Sequence, residues 1–275
     1  MNRRIQPFLS VLFYVMTLLP FILLVTKSFS ISWNWPMVWP NQFSLQGWSV
    51  LFSEPRLLDA VFQSLLIGFV VILLNFIIAV PAAYVLAFEH FKGKSIVESV
   101  LLLPLMIPSL AVAMGIHLSF IRIGLADQWM GVVLVHLLPT VPYTVKIIRA
   151  GFESIGNSYS HAAATLGATK RKTYYTVYLP LLLPSIRSSL FLILVISMSQ
   201  YILTALIGGG NVITLAIIYF PFLSSVNDAV IASFSLLFAL LPIFSVLVFE
   251  ILFRLLVPYQ KKLQLERKSG GDHYK

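Results

Sequence analysis

The chain has 275 residues, of which 59% are hydrophobic and only 11% are charged, and its mean hydropathy is +0.91. Soluble domains carry about 25% charged residues, so this composition excludes an ordinary soluble enzyme, and it also excludes a disordered chain, which needs low hydrophobicity. The formal charge of +9 would indicate nucleic-acid binding in a soluble protein, whereas in a membrane protein it marks cytoplasmic loops.

Six apolar stretches are long enough to cross a bilayer, which takes about 20 residues of helix. They are continuous runs, unlike the alternating segments of a membrane β-barrel, so they predict an all-α integral membrane protein with six transmembrane helices. The first stretch follows Arg3 and Arg4. It lacks the small-residue cleavage site of a signal peptide, which predicts an uncleaved anchor. The predicted spans are approximately 8–26, 61–88, 97–120, 131–148, 181–207 and 230–256.

The basic residues predict the orientation of these spans. If the N-terminus is inside, sixteen of the nineteen Lys and Arg residues fall in inside segments, and only Lys27, Arg56 and Arg122 fall outside. Cytoplasmic loops carry the excess of Lys and Arg in membrane proteins. Both termini are therefore predicted to be cytoplasmic, and the positive charge reports orientation, with no nucleic-acid partner expected.

Two outer loops follow from this orientation. Residues 27–60 contain Trp33, Trp35, Trp39 and Trp48, which suit either an aromatic belt at the membrane surface or a docking surface for an extracytoplasmic partner. Residues 208–229 open with three glycines and predict a second, flexible outer loop.

The longest inside loop, residues 149–180, has the most specific pattern. We expect a short helix over 158–167, capped by Asn157 or Ser158, surfaced by alanines and stopped by Gly167. A second short helix is predicted over 169–178, before Pro180 and Pro184 begin the fifth span. Small residues allow another body to approach closely. The alternative is an interfacial helix whose basic flank, Lys170 to Lys172, contacts anionic lipid.

Residues within this loop carry a family resemblance. His161-Ala162-Ala163, three residues, Gly167, nine residues and then Val177-x-Leu179-Pro180 resemble the EAA motif of the permeases of type I binding-protein-dependent ABC importers. The family usually has Glu where His161 stands and Ile where Val177 stands. The first difference removes a carboxylate expected to help seat the loop on the ATPase.

The resemblance extends to other parts of the chain. Residues 103–108 (Leu-Pro-Leu-x-Ile-Pro) are similar to the family, as is the triple glycine at 208–210 followed by Thr214-Leu215. The last pattern looks like permeases of the polyamine, thiamine and ferric-iron group, so the expected solute is small and polar.

The resemblance implies a type I ABC importer permease fold in the inner membrane of a prokaryote. Residues 1–60 would form an anchor helix and outer loop, 61–256 the permease core, and 257–275 a cytoplasmic tail. Partners would be ABC ATPase subunits, a second permease subunit, an extracytoplasmic solute-binding protein and lipid. The residues implied in ATPase coupling are Ser158, Tyr159, His161, Ala162, Ala163, Leu166, Gly167, Leu179 and Pro180. The chain lacks a G-x-x-x-x-G-K-[ST] run, so it is expected to be non-catalytic, with ATP hydrolysis on a separate chain.

Polar residues inside spans are costly and usually face protein or water. Asn75 in the second span and Ser197, Gln200 and Thr204 in the fifth are therefore candidates for the translocation path, the last three sharing one face of a continuous helix. The alternative is hydrogen bonding between helices. The chain has no cysteine and its five histidines are scattered, so no metal or cofactor site is predicted.

Other classes of membrane protein remain as alternatives. An ion-coupled secondary transporter usually carries intramembrane carboxylates, and no Asp or Glu lies deep in a predicted span. An intramembrane enzyme would need a nucleophile and base, for which His117 and His136 are the only candidates. A channel would need a filter-like motif, which the chain lacks.

Overall fold

The computed structural model describes residues 5–31, 33, 36–224 and 227–256. Within these residues every regular element is a helix, apart from one isolated bridge between Ser30 and Phe43. The predicted all-helical class is confirmed. Arg3, Arg4 and the predicted tail 257–275 lie outside the described residues.

The helices follow one another with short connections. In chain order they are α1 (Ile5–Ser28), α2 (Gln46–Phe52), α3 (Leu57–Phe88), α4 (Lys94–Met106), α5 (Ser109–Arg122), α6 (Trp129–Ile155), α7 (Ser158–Thr165), α8 (Lys170–Thr173), α9 (Leu179–Met198), α10 (Tyr201–Gly208), α11 (Leu215–Phe222) and α12 (Asp228–Leu256). A π-helical stretch, Tyr174–Tyr178, joins α8 to α9.

In the described part of the chain, four helical stretches are long and apolar enough to cross a membrane: Leu57–Phe88, Trp129–Ile155, Arg171–Met198 and Asp228–Ile251. The pair α4 and α5 would make a fifth span, and Leu12–Ser28 is a shorter apolar helix. The structure therefore supports four or five spans by length and composition.

Two predicted spans are interrupted in the structure. The third is broken between α4 and α5, which are bent by 100°, because Ile107 precedes a proline and adopts an extended backbone (ψ 135°). The fifth is broken at Ser199 and Gln200, where the sequence has neither Pro nor Gly to mark the interruption.

Three predicted loop boundaries also change. α6 continues to Ile155, so the inside loop begins at Gly156 instead of residue 149. Pro180 and Pro184 lie inside a continuous helix, and the π-helical stretch before them widens the turn where Pro180 removes a helical hydrogen bond. The predicted outer loop 208–229 contains the apolar helix α11.

The described chain divides into two compact units by its contacts. The first comprises Met1–Ser64 and Ile213–Leu241. Its core gathers buried residues of α2, α3, α11 and α12, among them Leu51, Leu215 and Phe234. The Ser64 hydroxyl accepts a hydrogen bond from the backbone N–H of Leu215 at 2.8 Å, and Lys27 forms an ion pair with Asp228.

The second unit comprises Leu65–Val212 and Pro242–Lys275. Its core joins α3, α6 and the beginning of α9 through small residues such as Ala79 and Ala83 and through aromatic rings. Gly151 lets α6 and α9 approach closely, because a Cβ at this position would lie 2.4 Å from the Ser185 hydroxyl oxygen. All the candidate functional residues described below belong to this unit.

Candidate functional site

The helix α7 occupies the position predicted for the short inside helix, and it ends two residues earlier than predicted. The backbone N–H of Gly167 bonds to the carbonyl of Ala164 at 2.9 Å, and that of Ala168 bonds to Ala163 at 3.0 Å. Asn157 occupies the N-cap position without a side-chain capping hydrogen bond. Left-handed glycines bound the helix, Gly156 with φ +71° and Gly167 with φ +77°, a conformation that glycine adopts at little cost.

The predicted coupling residues of α7 point away from the rest of the chain. Ser158, Tyr159, His161 and Ala162 are exposed and Ala163 is half-buried. Leu166 is 88% exposed, an unusual position for a large apolar side chain at the end of a helix. The structure therefore places these residues together on an accessible helix, and α7 contributes no buried residue to the core.

The remaining two predicted coupling residues lie elsewhere. Leu179 and Pro180 are half-buried at the beginning of α9 and line a cavity of about 530 Å³ with residues of α3. A second cavity of about 500 Å³ is lined by Ser160 of α7 together with Tyr84 and Tyr178. The two parts of the motif are thus separate: α7 is exposed, and the Leu-Pro pair belongs to the packed helix that follows it.

An aromatic cluster lies beside α7, since two of its members, Tyr84 and Tyr178, line the same cavity as Ser160. The rings of Tyr84, Phe88, Phe152 and Tyr178 contact one another with centroids 5.1 to 6.1 Å apart. Phe152 is fully buried and Tyr178 is 3% exposed. This cluster joins α3, α6 and the π-helical stretch before α9, and no local sequence pattern predicts it because its members lie far apart in the chain.

Two interhelical ion pairs also escaped the sequence analysis. Arg149 of α6 contacts Glu98 of α4 at 2.8 Å and Glu153 of its own helix at 2.7 Å. Arg187 of α9 contacts Glu250 of α12 at 2.7 Å. Only the Arg149–Glu153 pair, four residues apart on one helix, has a spacing that could have predicted it.

The four predicted path residues fall into two environments. Asn75, Ser197 and Thr204 are buried, with at most 3% of each exposed, whereas Gln200 is half-buried. Because the helix is interrupted at Ser199 and Gln200, the prediction that Ser197, Gln200 and Thr204 share one face of a continuous helix is wrong.

Asn75 belongs to a buried hydrogen-bonded network between α3 and α6. Its amide nitrogen donates to the Thr140 hydroxyl at 2.9 Å, and its carbonyl oxygen accepts from the Thr144 hydroxyl at 3.1 Å. Ser197 and Thr204 instead contact the two ring nitrogens of His136, at 2.9 and 3.0 Å. His136 is thus a member of this site, although it was a candidate only for the enzyme alternative.

Both helix breaks border one cavity of about 540 Å³. Its polar lining comes from Ser109 at the beginning of α5, Tyr143 of α6, and Ser199 and Gln200 at the second break. None of the lining residues carries a charge. The arrangement can therefore hydrogen-bond a small polar molecule but offers no carboxylate to neutralise a cation.

Most of the second unit falls in a region that matches a known protein family. Residues 77–262 match the family described as the binding-protein-dependent transport system inner membrane component, which is more than half of the chain. The region includes α7, both helix breaks and the cavity.

Two individual relatives are 33% and 26% identical to the chain in the aligned residues. The chain is 33% identical over 135 residues to the molybdate/tungstate transport system permease protein WtpB of Pyrococcus abyssi, an alignment that covers 49% of this chain and 54% of that relative. The chain therefore spans about half the length of this relative. It is 26% identical over 196 residues to the spermidine/putrescine transport system permease protein PotC of Haemophilus influenzae, covering 71% of this chain and 76% of PotC.

The fold is also found in a solved structure. The bacterial alginate ABC transporter, in complex with alginate pentasaccharide-bound periplasmic protein, contains a chain that superposes with a TM-score of 0.66 at 15% identity. The superposition covers 92% of this chain and 96% of that chain. At this identity the likeness shows the fold alone.

Proposed function

The chain belongs to the binding-protein-dependent transport system inner membrane component family, and we propose that it is the membrane permease subunit of an ATP-driven importer. As a member, it is a multi-pass protein of a prokaryotic inner membrane. We propose that α7 is the coupling helix that receives force from a separate ATPase, and that this chain is itself non-catalytic.

The observation that carries this proposal is the exposure of α7. A short helix with three successive alanines, left-handed glycines beyond both ends and a nearly fully exposed Leu166 does little for the stability of its own chain. Small residues let another body approach closely, so an accessible alanine-rich helix outside the packed core supports an interaction site. The His161 to Gly167 part of the EAA-like pattern lies on α7 and just beyond it, which supports a cleft of the ATPase as its partner.

The topology that we propose has six spans with both termini in the cytoplasm. The charge distribution supports it, because sixteen of nineteen basic residues then lie inside. Residues 1–60 would form the anchor and outer loop, 61–256 the core, and 257–275 a cytoplasmic tail. The assembly would contain two ATPase subunits, a second permease subunit and an extracytoplasmic solute-binding protein. Lipid phosphate would contact the basic residues of α8.

The test is the Ala162→Trp substitution in the assembled importer. Ala162 is exposed, so an indole there leaves the fold intact but prevents close docking. We expect loss of ATPase co-purification and of ATP-driven uptake, with an unchanged melting temperature, and Ala163→Trp should act similarly. Ala150→Trp, at an exposed alanine of α6 outside the motif, is the control. Normal assembly and uptake in Ala162→Trp would contradict the coupling role.

The solute that we propose is small and polar. The sequence resemblance favours the polyamine, thiamine and ferric-iron group, and the similarity to PotC supports a polyamine. The similarity to WtpB supports an oxyanion instead. The uncharged lining of the cavity does not separate the two, because it offers neither a carboxylate to a polyamine nor a basic residue to an oxyanion. We propose the oxyanion because the identity to WtpB is higher than that to PotC.

Competition between solutes tests this choice. Uptake of labelled molybdate by the importer, assembled with its own ATPase and binding protein, should be inhibited by sulfate or tungstate and unaffected by spermidine. Uptake of spermidine with no uptake of molybdate would favour the polyamine. We assign the path lining to Gln200, whereas Ser197 and Thr204 would support the wall from behind. Asn75 would instead join α3 to α6 away from the cavity.

An ion-coupled secondary transporter is the alternative. Among the described residues, no Asp or Glu is buried, and Glu98, Glu153 and Glu250 are paired with arginines. Ion-coupled transporters usually carry carboxylates within the membrane. Uptake that continues after ATP is removed, with ion gradients kept intact, would favour this alternative.

A further inference from the structure

The break between α9 and α10 is bridged by a side chain from a third helix. Ser197 lies in the last turn of α9 and Thr204 in the first turn of α10. The imidazole of His136 in α6 lies between them, with Nδ1 2.9 Å from the Ser197 hydroxyl and Nε2 3.0 Å from the Thr204 hydroxyl. All three residues are at least 97% buried.

The hydrogen-bond chemistry gives this bridge a direction. The Thr204 hydroxyl donates its only proton to the backbone carbonyl of Gln200, so it can only accept from His136. A neutral imidazole has one N–H donor and one acceptor nitrogen. Nε2–H of His136 therefore donates to Thr204, and Nδ1 accepts from Ser197. The chain of hydrogen bonds runs from α9 through α6 to α10 and ends on the carbonyl of Gln200.

The two residues at the break, Ser199 and Gln200, form part of the cavity wall. Their backbone is outside any helix, with Gln200 at φ −78° and ψ 79°, and the sequence offers no Pro or Gly to impose this turn. The bridge through His136 ties the helices on either side of it. The position of Gln200 in the wall thus depends on a side chain that lies outside the cavity.

We propose that His136 is a positioning residue of the translocation path, a clamp that holds α9 and α10 at their break and so sets Ser199 and Gln200 in the wall of the solute cavity. This proposal rests on the proposed function in so far as the cavity is part of that path. It predicts that removal of the clamp changes the KM for the solute and the accessibility of residue 200 under conditions in which the protein stays folded.

A chain without cysteine allows a direct test of this position. In the assembled importer, a single Gln200→Cys substitution reports on the cavity wall through its rate of reaction with a charged methanethiosulfonate reagent. Adding His136→Leu should change that rate at least about fivefold, because both hydrogen bonds of the clamp are lost and each interhelical hydrogen bond in a membrane contributes a factor of about two to three. His136→Gln, which keeps a donor and an acceptor, should restore part of the original rate. Thr204→Val should act like His136→Leu.

Two controls separate positioning from general loosening. A Ser109→Cys thiol on α5 faces the same cavity and should react at an unchanged rate in His136→Leu. Thr144→Val removes a buried hydroxyl from the same helix α6, within the Asn75 network, and should leave the Gln200→Cys rate unchanged. An unchanged Gln200→Cys rate in His136→Leu, or equal changes at both thiols, would overturn the proposal.

Transport gives the second readout. With the native Gln200 retained, His136→Leu should raise the KM for molybdate at least about fivefold, by the same hydrogen-bond argument, while ATPase co-purification persists. An unchanged KM would also overturn the positioning role. Absence of ATP-dependent uptake in the unmutated importer would instead contradict the proposed function, and the labelling rates would still decide whether His136 clamps the break.

Discussion

The helix α7 and the α9–α10 break both interrupt the long helices of the second unit, and they are built in opposite ways. Glycines with positive φ turn the backbone beyond each end of α7, so residues next to the helix determine these turns. The α9–α10 break has no such residues, and hydrogen bonds from His136 of a distant helix hold its two sides. The apolar end of α7 is exposed at Leu166, whereas the α9–α10 break is flanked by the buried, hydrogen-bonded hydroxyls of Ser197 and Thr204.

This difference matches what each region is proposed to do. A surface that docks on another protein needs accessible small residues, and it gains nothing from bonds to its own chain. A cavity wall inside a membrane needs every polar group satisfied, because unsatisfied groups are costly away from water. The following predictions test whether the exposed helix depends on the buried packing beside it, and whether the buried polar groups depend on one another.

The largest effect is expected from Phe152→Ala. Phe152 is fully buried and contacts Tyr84, Phe88 and Tyr178, and truncation of a buried Phe to Ala costs about 3–5 kcal/mol. Because this cluster joins the helices on both sides of α7, we expect a lower melting temperature together with loss of ATPase co-purification. Thermal unfolding in detergent measures the first effect.

Phe91→Ala is the matched control for this prediction. Phe91 is 39% exposed and lies just beyond α3, the helix that carries Tyr84 and Phe88 of the cluster. The substitution should change the free energy of unfolding by less than about 1 kcal/mol, so the melting temperature should stay close to the original. If Phe152→Ala melts normally and still loses the ATPase, the cluster would be a docking surface instead of a support for the exposed helix.

The two regions also explain what the sequence could and could not predict. The position of α7 follows from local signals, namely the alanines, Gly167 and the motif spacing, and these survive in a single sequence. The third span follows from its hydrophobicity, and Pro104 and Pro108 predict a kink in it, although a proline alone does not fix a bend of 100°. The fifth span was predicted as continuous because its break depends on His136, some sixty residues away. No local pattern reports a contact of that kind.

Gly167→Val should have an intermediate effect. Gly167 has φ +77° and nothing lies within 4 Å of a Cβ built there, so the substitution adds backbone strain without a clash. A left-handed residue with a Cβ costs about 1–2 kcal/mol, which we expect as fraying of α7 and reduced ATPase co-purification, with little change in global melting. Hydrogen exchange of the α7 amides measures the fraying.

Gly167→Asn provides the comparison, since Asn tolerates the left-handed conformation better than a β-branched residue. We expect it to retain most of the assembly. Equal loss in Gly167→Val and Gly167→Asn would show that the side chain blocks the partner directly, and that backbone conformation is not the cause.

The smallest effect is expected from Asn75→Leu, although Asn75 is fully buried. The Thr140 hydroxyl also donates to the carbonyl of His136 at 2.7 Å, and the Thr144 hydroxyl shares its one proton between Asn75 and the carbonyl of Thr140 at 2.9 Å. Both threonines therefore stay satisfied without the amide, and Leu keeps the branching of Asn at Cγ although it is somewhat larger. Interhelical hydrogen bonds in membranes contribute about 0.6 kcal/mol on average, so the melting temperature and the KM should change little. A loss as large as that of Phe152→Ala would mean that Asn75 itself contacts solute or water, in which case the buried network would be part of the path and the contrast between a satisfied interior and an exposed coupling helix would fail.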